Sequence, residues 1–260
     1  MIIPARFNGP AGSANGGYAA GLVAQALLGV DPQTVVTNRA VAVTLRRPPP
    51  LDTALRVVRP APGEVRVEID GRADAVGSPI AEAVAVPGPD LIAEAVAVTG
   101  PDLVGGSTVA PVSLVEAEAA AAAYPGLVEH PFPGCYVCGP AHPDGLRIFP
   151  GPVGGGAGRT AAPFVTPADS AVPTVWAALD CPGGWAVLAP GRPYLLGRMT
   201  AAVAALPTPG QRGVVVGELV ATSGRKAEVR TALYDPHGRL LAAARATWIA
   251  IATPARGEPV

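Results

Sequence analysis

The pattern of apolar and polar positions along the chain predicts the same order of elements twice. Residues 15–28 and 174–188 are runs of small and apolar side chains typical of helices, although Pro182 should kink or interrupt the second run. Short segments in which apolar and polar positions alternate follow each run, separated by turns rich in Pro and Gly. Each half of the chain is therefore predicted to contain a helix, three strands, a short turn and a last long strand.

Matching positions in the two halves support an internal duplication. The predicted strands are 40–45, 54–58, 65–69 and 80–86 in the first half, and 194–206, 214–222, 227–234 and 240–251 in the second. Pro48 and Pro207 each follow the first strand of their half and are 159 positions apart, and the turn residues Asp74 and Asp235 are 161 positions apart. A helix followed by an antiparallel meander indicates an α+β unit whose helix packs on one sheet face. Two such units are expected in the chain.

A second, shorter repeat lies within the first unit. The sequence Ile-Ala-Glu-Ala-Val-Ala-Val occurs at 80–86 and again at 92–98, and after one further residue each copy continues into Gly-Pro-Asp-Leu. Two equal candidates for one strand weaken the specification of register. We expect one copy to fill the strand and the other to loop out or to add an edge.

The expected domain organisation is two units and a joint. Residues 1–110 form the first unit, residues 111–133 the joint, and residues 134–260 the second unit. Residues 115–123 are rich in Ala and Glu, which have high helix propensity, so a connecting helix is predicted there.

Composition excludes several classes of protein. The 19 Lys and Arg balance 20 Asp and Glu, which argues against nucleic acid as a main partner and against attraction to anionic membranes. Hydrophobic residues make up 49% of the chain and charged residues 15%, which is unlike a disordered chain. Neither a membrane span of about 18 apolar residues nor a secretory leader is expected, and three cysteines predict no disulfide framework. A cytoplasmic location is expected.

Three segments carry a resemblance to one superfamily. They are Asn-Gly-Gly-Tyr at 15–18 with Gln-Ala-Leu at 25–27, Cys-Tyr-Val-Cys-Gly at 135–139 with Pro-Asp-Gly-Leu at 143–146, and Trp-Ala-Ala-Leu-Asp-Cys at 176–181. The first is similar to a motif of the acyl-CoA thioesterase II group, and the others to thioesterases of the phenylacetyl-CoA type. The chain as a whole resembles a double-hotdog acyl-CoA thioesterase. The resemblance implies a tandem hotdog fold, with two antiparallel sheets that each wrap a long central helix.

The resemblance also implies a site shared between the two units. One unit supplies a helix N-terminus, here Asn15, Gly16 and Gly17, and the other supplies a carboxylate, here Asp180. Backbone amides at a helix start can stabilise the negative charge that develops on a thioester oxygen, and a carboxylate can activate water or attack the carbonyl. The first unit has no acid in its helix. In the register set by the strands, the second has Ala171-Val172-Pro173 where the Gly-Gly is expected, and a match to Gly183-Gly184 would need a different offset, so one complete site per chain is expected.

Each of these four residues also has a purely structural explanation. Asn15 is a favoured helix cap, and glycines at 16 and 17 permit close helix packing. Asp180, on an apolar helix, is costly to bury unless it is paired or functional.

Further residues are expected to contact the acyl-CoA substrate. Gln25, Tyr18 and Trp185 are the candidates for substrate binding. The candidates for binding the coenzyme A phosphates are cations near strand ends, namely Arg46, Arg47, Arg198 and Arg212. No cofactor and no metal are expected, and a homodimer is compatible with the sequence.

Several alternatives stay open. The spacing of Cys135, Cys138, His130 and His142 permits a zinc site, but no second Cys-x-x-Cys is present and the resembling family carries this pair without an obligate metal. Cys181 as a nucleophile has no histidine close to it in sequence. Because Asn15 stands where the family has His, a non-catalytic acyl-binding protein is one rival. A hotdog hydratase or dehydratase acting on an enoyl thioester is another, disfavoured because that chemistry uses a histidine in the family.

Overall fold

The computed structural model describes residues 1–37, 39–70, 91–98, 108–154, 157–188 and 192–251. The helices in these residues are α1 (Gly16–Leu28), α2 (Leu114–Ala122), α3 (Val172–Ala178) and α4 (Asp180–Trp185). The strands are β1 (Ala40–Leu45), β2 (Leu55–Val58), β3 (Glu64–Ile69), β4 (Leu91–Val98), β5 (Gly151–Pro152), β6 (Arg159–Val165), β7 (Tyr194–Val203), β8 (Arg212–Ser223), β9 (Lys226–Tyr234) and β10 (Leu240–Ala250).

All ten strands belong to one antiparallel sheet. Their order is β2-β3-β4-β1-β7-β10-β9-β8-β6-β5. In the middle, β1 pairs with β7, so that Ala40 lies opposite Ala202 and Thr44 opposite Arg198. The order β2-β3-β4-β1 on one side of this pair mirrors β8-β9-β10-β7 on the other. The two expected sheets are thus joined edge to edge into one continuous sheet, because β1 and β7 hydrogen-bond to each other.

Most of the predicted strands lie close to observed ones. The predicted strand at 80–86 and the turn at Asp74 lie outside the described residues, and β4 is formed by the second copy of the short repeat. The sequence did not predict β6, because Pro163 interrupts its apolar run. β5 pairs with Thr160 and Ala161 of β6 and does not reach Pro163. At Pro163 no strand of the described chain pairs with the edge of β6 that faces away from β8. A proline is tolerated at such an edge.

The predicted helix at 174–188 is interrupted, as Pro182 indicated. Helix α3 ends at Ala178 and α4 begins at Asp180, with Leu179 between them. Pro182 has no N–H to donate to the carbonyl of Ala178, four residues earlier. The second unit therefore has two short helices where one long helix was predicted.

Close backbone contact joins α1 to α3. A Cβ atom at Gly17 would lie 2.6 Å from Cβ of Asp180, and a Cβ at Gly21 would lie 2.7 Å from Cα of Pro173. Neither position has room for a side chain. The two glycines are one turn apart on the same face of α1, so this face can approach α3 and the start of α4 closely.

Helix α4 lies equally close to the sheet. A Cβ atom at Gly183 would lie 2.6 Å from Cγ2 of Val229 on β9, and one at Gly184 would lie 2.6 Å from the indole of Trp248 on β10. On β8, Gly217 faces the carbonyl oxygen of Pro182 with no space between them. The underside of α4 is therefore filled by protein atoms.

The predicted connecting helix is present as α2. Ser113 caps it, because its Oγ accepts the Glu116 amide while the Glu116 carboxylate accepts the Ser113 amide. This reciprocal pair satisfies two donors at the start of the helix. None of the helices in the described ranges is both long and apolar enough to cross a bilayer.

Candidate active site

The start of α1 holds the carboxylate that begins α4. Asn15 caps α1 by accepting the Tyr18 amide at 2.9 Å, and its Nδ2 donates to Oδ2 of Asp180 at 3.0 Å. The amide of Gly17 donates to the same Oδ2 at 2.9 Å. Asn15, Gly17 and Asp180, which are far apart in sequence, are thus brought into direct contact.

Asp180 is buried with one oxygen held and the other unpaired. Only 3% of the residue is exposed, and its Oδ1 has no hydrogen-bond partner among the described residues. Burial raises the pKa of Asp180 to about 7, because the charged form loses its hydration, while the hydrogen bonds from Gly17 and Asn15 pull the pKa in the opposite direction. The carboxyl group is therefore able to exchange a proton near neutral pH.

The two glycines at the helix start have different partners. The amide of Gly17 is committed to Asp180, so it is not free to stabilise an oxyanion as the sequence predicted. The amide of Gly16 has no hydrogen-bond partner within the described part of the chain. A Cβ atom at Gly16 would lie 3.0 Å from Cβ of Leu196, so this backbone is also closely packed.

A cavity of about 230 Å³ opens beside this contact. Asn15, Gly16, Asp180 and Trp185 line it from the helix side. Its sheet side is mainly apolar and consists of Leu45, Tyr194, Leu195, Leu196, Trp248 and Ile249. The exposed Arg46 and Arg47 lie at its border. The cavity thus combines an apolar wall, one buried acid and two cations.

Three buried cysteines also line the cavity. The Sγ atoms of Cys135, Cys138 and Cys181 all lie within 4.8 Å of one another. Hydrogen bonds from the other two thiols lower the pKa of Cys135 well below its usual value, so it is the first of the three to lose its proton. Burial lowers the pKa of the neighbouring His130, which keeps its ring neutral near pH 7.

The chain is similar over most of its length to solved structures. A hotdog-fold protein of unknown function from Alicyclobacillus acidocaldarius is 13% identical, with a TM-score of 0.53, covering 94% of this chain and 89% of that one. The acyl-CoA thioesterase II TesB2 of Mycobacterium marinum is 16% identical, with a TM-score of 0.51 and coverage of 95% and 92%. A tesB protein of Mycobacterium avium subs paratuberculosis is 10% identical, with a TM-score of 0.55 and coverage of 96% and 91%. The chain has the hotdog fold. No protein-family model matches the chain, and no curated protein matches its sequence.

Two of the residues predicted to bind substrate lie outside the cavity beside Asp180. Gln25 lines a separate cavity of about 20 Å³, where its Nε2 donates to the carbonyl of Thr34. Tyr18 stacks on Phe7 with ring centroids 3.7 Å apart, and burial raises its pKa to about 12. Only Trp185 of the three lines the same cavity as Asp180.

The predicted cations also divide into two groups. Arg46 and Arg47 are at the cavity, whereas Arg212 pairs with Glu118 on α2 and lines a different surface depression. Arg198 is exposed on β7 and is not among the residues that line the cavity.

The sequence did not predict two features of the cavity beside Asp180. The first is Trp248, whose buried Nε1 has no hydrogen-bond partner among the described residues, and nothing in the pattern of β10 marks it out. The second is the approach of Cys181 to Cys135, with their sulfurs 3.9 Å apart. Its signal was the position of Cys181 next to Asp180, but the contact depends on how α4 lies against the loop at 135–138.

Proposed function

We propose that the chain is an acyl-CoA thioesterase that hydrolyses an acyl-CoA to a carboxylic acid and coenzyme A. One observation carries this proposal: Asp180 is buried at an apolar cavity, its Oδ2 is fixed by Asn15 and Gly17, and no described residue hydrogen-bonds to its Oδ1. An unpaired buried carboxylate oxygen is costly, and such groups are concentrated at functional sites.

In this proposal the thioester carbonyl lies against the N-terminus of α1. The unpaired amide of Gly16, supported by the helix dipole, stabilises the negative charge that develops on the carbonyl oxygen. Oδ1 of Asp180 accepts a proton from water as the water oxygen bonds to the acyl carbon, and this proton then passes to the departing sulfur. Alternatively, Oδ1 attacks the acyl carbon itself, coenzyme A leaves, and water then cleaves the resulting anhydride to release the acid and restore the carboxylate. In either case the carbon–sulfur bond breaks, and coenzyme A leaves as the thiol after taking a proton. Asn15 positions Asp180 and caps the helix.

The mirrored strand order supports a tandem hotdog with one site. We infer that the two units arose by duplication and that the β1–β7 pair is the junction between them. With the offset of 159 to 161 between matching strand positions, Asp180 corresponds to about Gly21 of the first unit. No acid fits at Gly21, because a Cβ atom there would lie 2.7 Å from Pro173 and 2.9 Å from Trp176. The proposal therefore places no second carboxylate at this position.

The border and wall of the cavity support an acyl-CoA as the substrate. Arg46 and Arg47 are placed to bind the coenzyme A phosphates. The apolar wall suits an acyl chain, and Trp248 offers an indole N–H to a polar group of the substrate.

A turnover assay tests the proposal. The full chain is expected to release free thiol from at least one member of a panel of acyl-CoAs, and Asp180→Asn should lower kcat by about 10²–10⁴-fold, the range of general-base catalysis. The Asn amide oxygen can still accept from Asn15 and Gly17, so the variant should fold. The exposed Asp169, which pairs with Arg6, provides a matched control in Asp169→Asn. Full activity in Asp180→Asn would remove this residue from the mechanism.

A non-catalytic acyl-binding protein is the second candidate. It is favoured by the commitment of the Gly17 amide to Asp180, which leaves fewer donors at the helix start. In that case acyl-CoA would bind, as measured by calorimetry, with no thiol released from any substrate of the panel.

A further inference from the structure

The three cysteines of the chain converge from two separate segments. Cys135 and Cys138 lie in the loop before β5, and Cys181 is the second residue of α4. Their sulfurs are within 4.8 Å of one another, the Cys135–Cys181 pair is 3.9 Å apart, and all three residues are at most 5% exposed. The cluster differs from the set considered in the sequence, because the His142 ring instead hydrogen-bonds the carbonyl of Arg6 at 2.8 Å.

N–H groups point at two of these sulfurs. Nε2 of His130 lies 3.3 Å from Sγ of Cys138, the Trp185 indole donates to the same sulfur at 3.5 Å, and Nδ2 of Asn15 donates to Sγ of Cys135 at 3.9 Å. The other ring nitrogen of His130 accepts the Phe132 amide at 2.8 Å. A neutral His130 ring therefore carries its proton on Nε2 and acts as a donor toward sulfur.

Donors around a sulfur favour its thiolate form over the thiol. Several thiolates within 5 Å of one another in a buried site repel each other and are costly unless a cation neutralises them. A soft, thiophilic cation is the ligand that this chemistry selects, and hard cations such as Mg²⁺ and Ca²⁺ prefer oxygen.

We propose that Cys135, Cys138 and Cys181 bind one Zn²⁺ ion, with its fourth coordination position open toward the cavity. At a Zn–S distance of about 2.3 Å, two sulfurs of a tetrahedral site are about 3.8 Å apart, close to the 3.9 Å of the Cys135–Cys181 pair. All three cysteines line the cavity, so water or a small ligand can reach the fourth position. Each thiol gives up its proton to solvent as zinc binds, and no electron transfer is involved.

The proposed site would tie the loop at 135–138 to α4. His130, Trp185 and Asn15 then act as the outer hydrogen-bonding partners that orient and stabilise the ligand sulfurs. The proposal does not depend on thioester hydrolysis, because zinc binding is measured without any substrate.

Metal analysis of the unaltered chain is the first test. Protein produced with zinc in the growth medium is expected to contain one zinc per chain by elemental analysis. Replacement of zinc by Co²⁺ should give the near-ultraviolet absorption of cobalt–thiolate bonds and the visible bands of four-coordinate Co²⁺. A chain that takes up no zinc from an excess in solution, or that is isolated with a Cys135–Cys181 disulfide, would overturn the proposal.

Variants identify the ligands. Cys138→Ser and Cys181→Ser should each weaken zinc binding by more than about 100-fold in a competition assay with a chromogenic chelator, whereas Trp185→Phe, which removes an outer donor, should weaken it by about 10-fold. His142→Gln is the matched control and should leave affinity unchanged. Full affinity in Cys181→Ser would refute the three-sulfur site, and complete loss in His130→Ala would refute the open fourth position. If a Ser variant does not fold, the Co²⁺ spectrum of the unaltered chain decides.

Discussion

At the scale of single residues, the sequence predicted that Asp180 is important but not which residues contact it. An acid between Leu179 and Cys181 on an apolar helix is expensive to bury, which was enough to single it out. Its partners could not be predicted, because Asn15 and Gly17 lie more than 160 positions away and reach it only through the packing of α1 on α3. For the same reason, the sequence did not show that the Gly17 amide donates to Asp180.

Gly17→Ala should destabilise the chain. The added Cβ would lie 2.6 Å from Cβ of Asp180 and 2.7 Å from the carbonyl oxygen of Trp176, so α1 and α3 must separate. Overpacking of this kind costs about 1–3 kcal/mol, which chemical denaturation would measure as a lower midpoint. Gly16→Ala meets side-chain atoms of Leu196 that can move, and it should cost less. Equal stability of Gly17→Ala and the unaltered chain would show that the contact is not tight.

At the scale of elements, the sequence predicted the features that depend on residues close together in the chain. Pro182 indicated the interruption between α3 and α4, and the Ala- and Glu-rich stretch indicated α2. Elements that depend on distant pairing were harder: β6 carries a proline, and β4 could have been either copy of one repeat.

The cap of α2 makes a quantitative prediction at this scale. Ser113→Ala removes the oxygen that accepts the Glu116 amide, and the free energy of unfolding should fall by about 1 kcal/mol. Urea denaturation followed by circular dichroism would measure the change. Ser223→Ala, at an exposed position at the end of β8, is the control and should change it by less than about 0.5 kcal/mol. A loss in Ser113→Ala no larger than the control would mean that water replaces the cap.

At the scale of the whole molecule, the sequence predicted the repeated order of elements but not which two strands join the halves. Alternation of apolar and polar residues shows which face of a strand is buried, and it carries no information about which neighbour takes the edge of β1. The single sheet results from the β1–β7 pair, which joins residues that are between 154 (Thr44 and Arg198) and 162 (Ala40 and Ala202) positions apart.

The short repeat provides a test of how the sheet is specified. Deletion of residues 79–90 removes the first copy and keeps Leu91–Val98 intact for pairing with β1 and β3. The number of residues between β3 and β4 then falls from 21 to nine, and a shorter connection between two paired strands should favour folding by roughly 0.6 kcal/mol. We expect an equal or slightly higher melting temperature. Deletion of 79–103, which removes both copies, should abolish folding, and aggregation of the shorter deletion would contradict this picture.

The close packing of α4 on the sheet also limits which acyl chains the proposed enzyme could bind. No space is left beneath that helix at Gly183, Gly184 and Gly217. An acyl chain bound at Asp180 therefore cannot pass between α4 and strands β8 and β9. Among the described residues, the apolar lining of the cavity includes Leu195 on β7, Ile249 on β10 and Ile251 beyond it, which offers the acyl chain a route along the sheet. The distance from Asp180 to the end of that route would set the longest acyl chain that the enzyme accepts. Larger side chains along the route would lower this length limit without changing the catalytic residues.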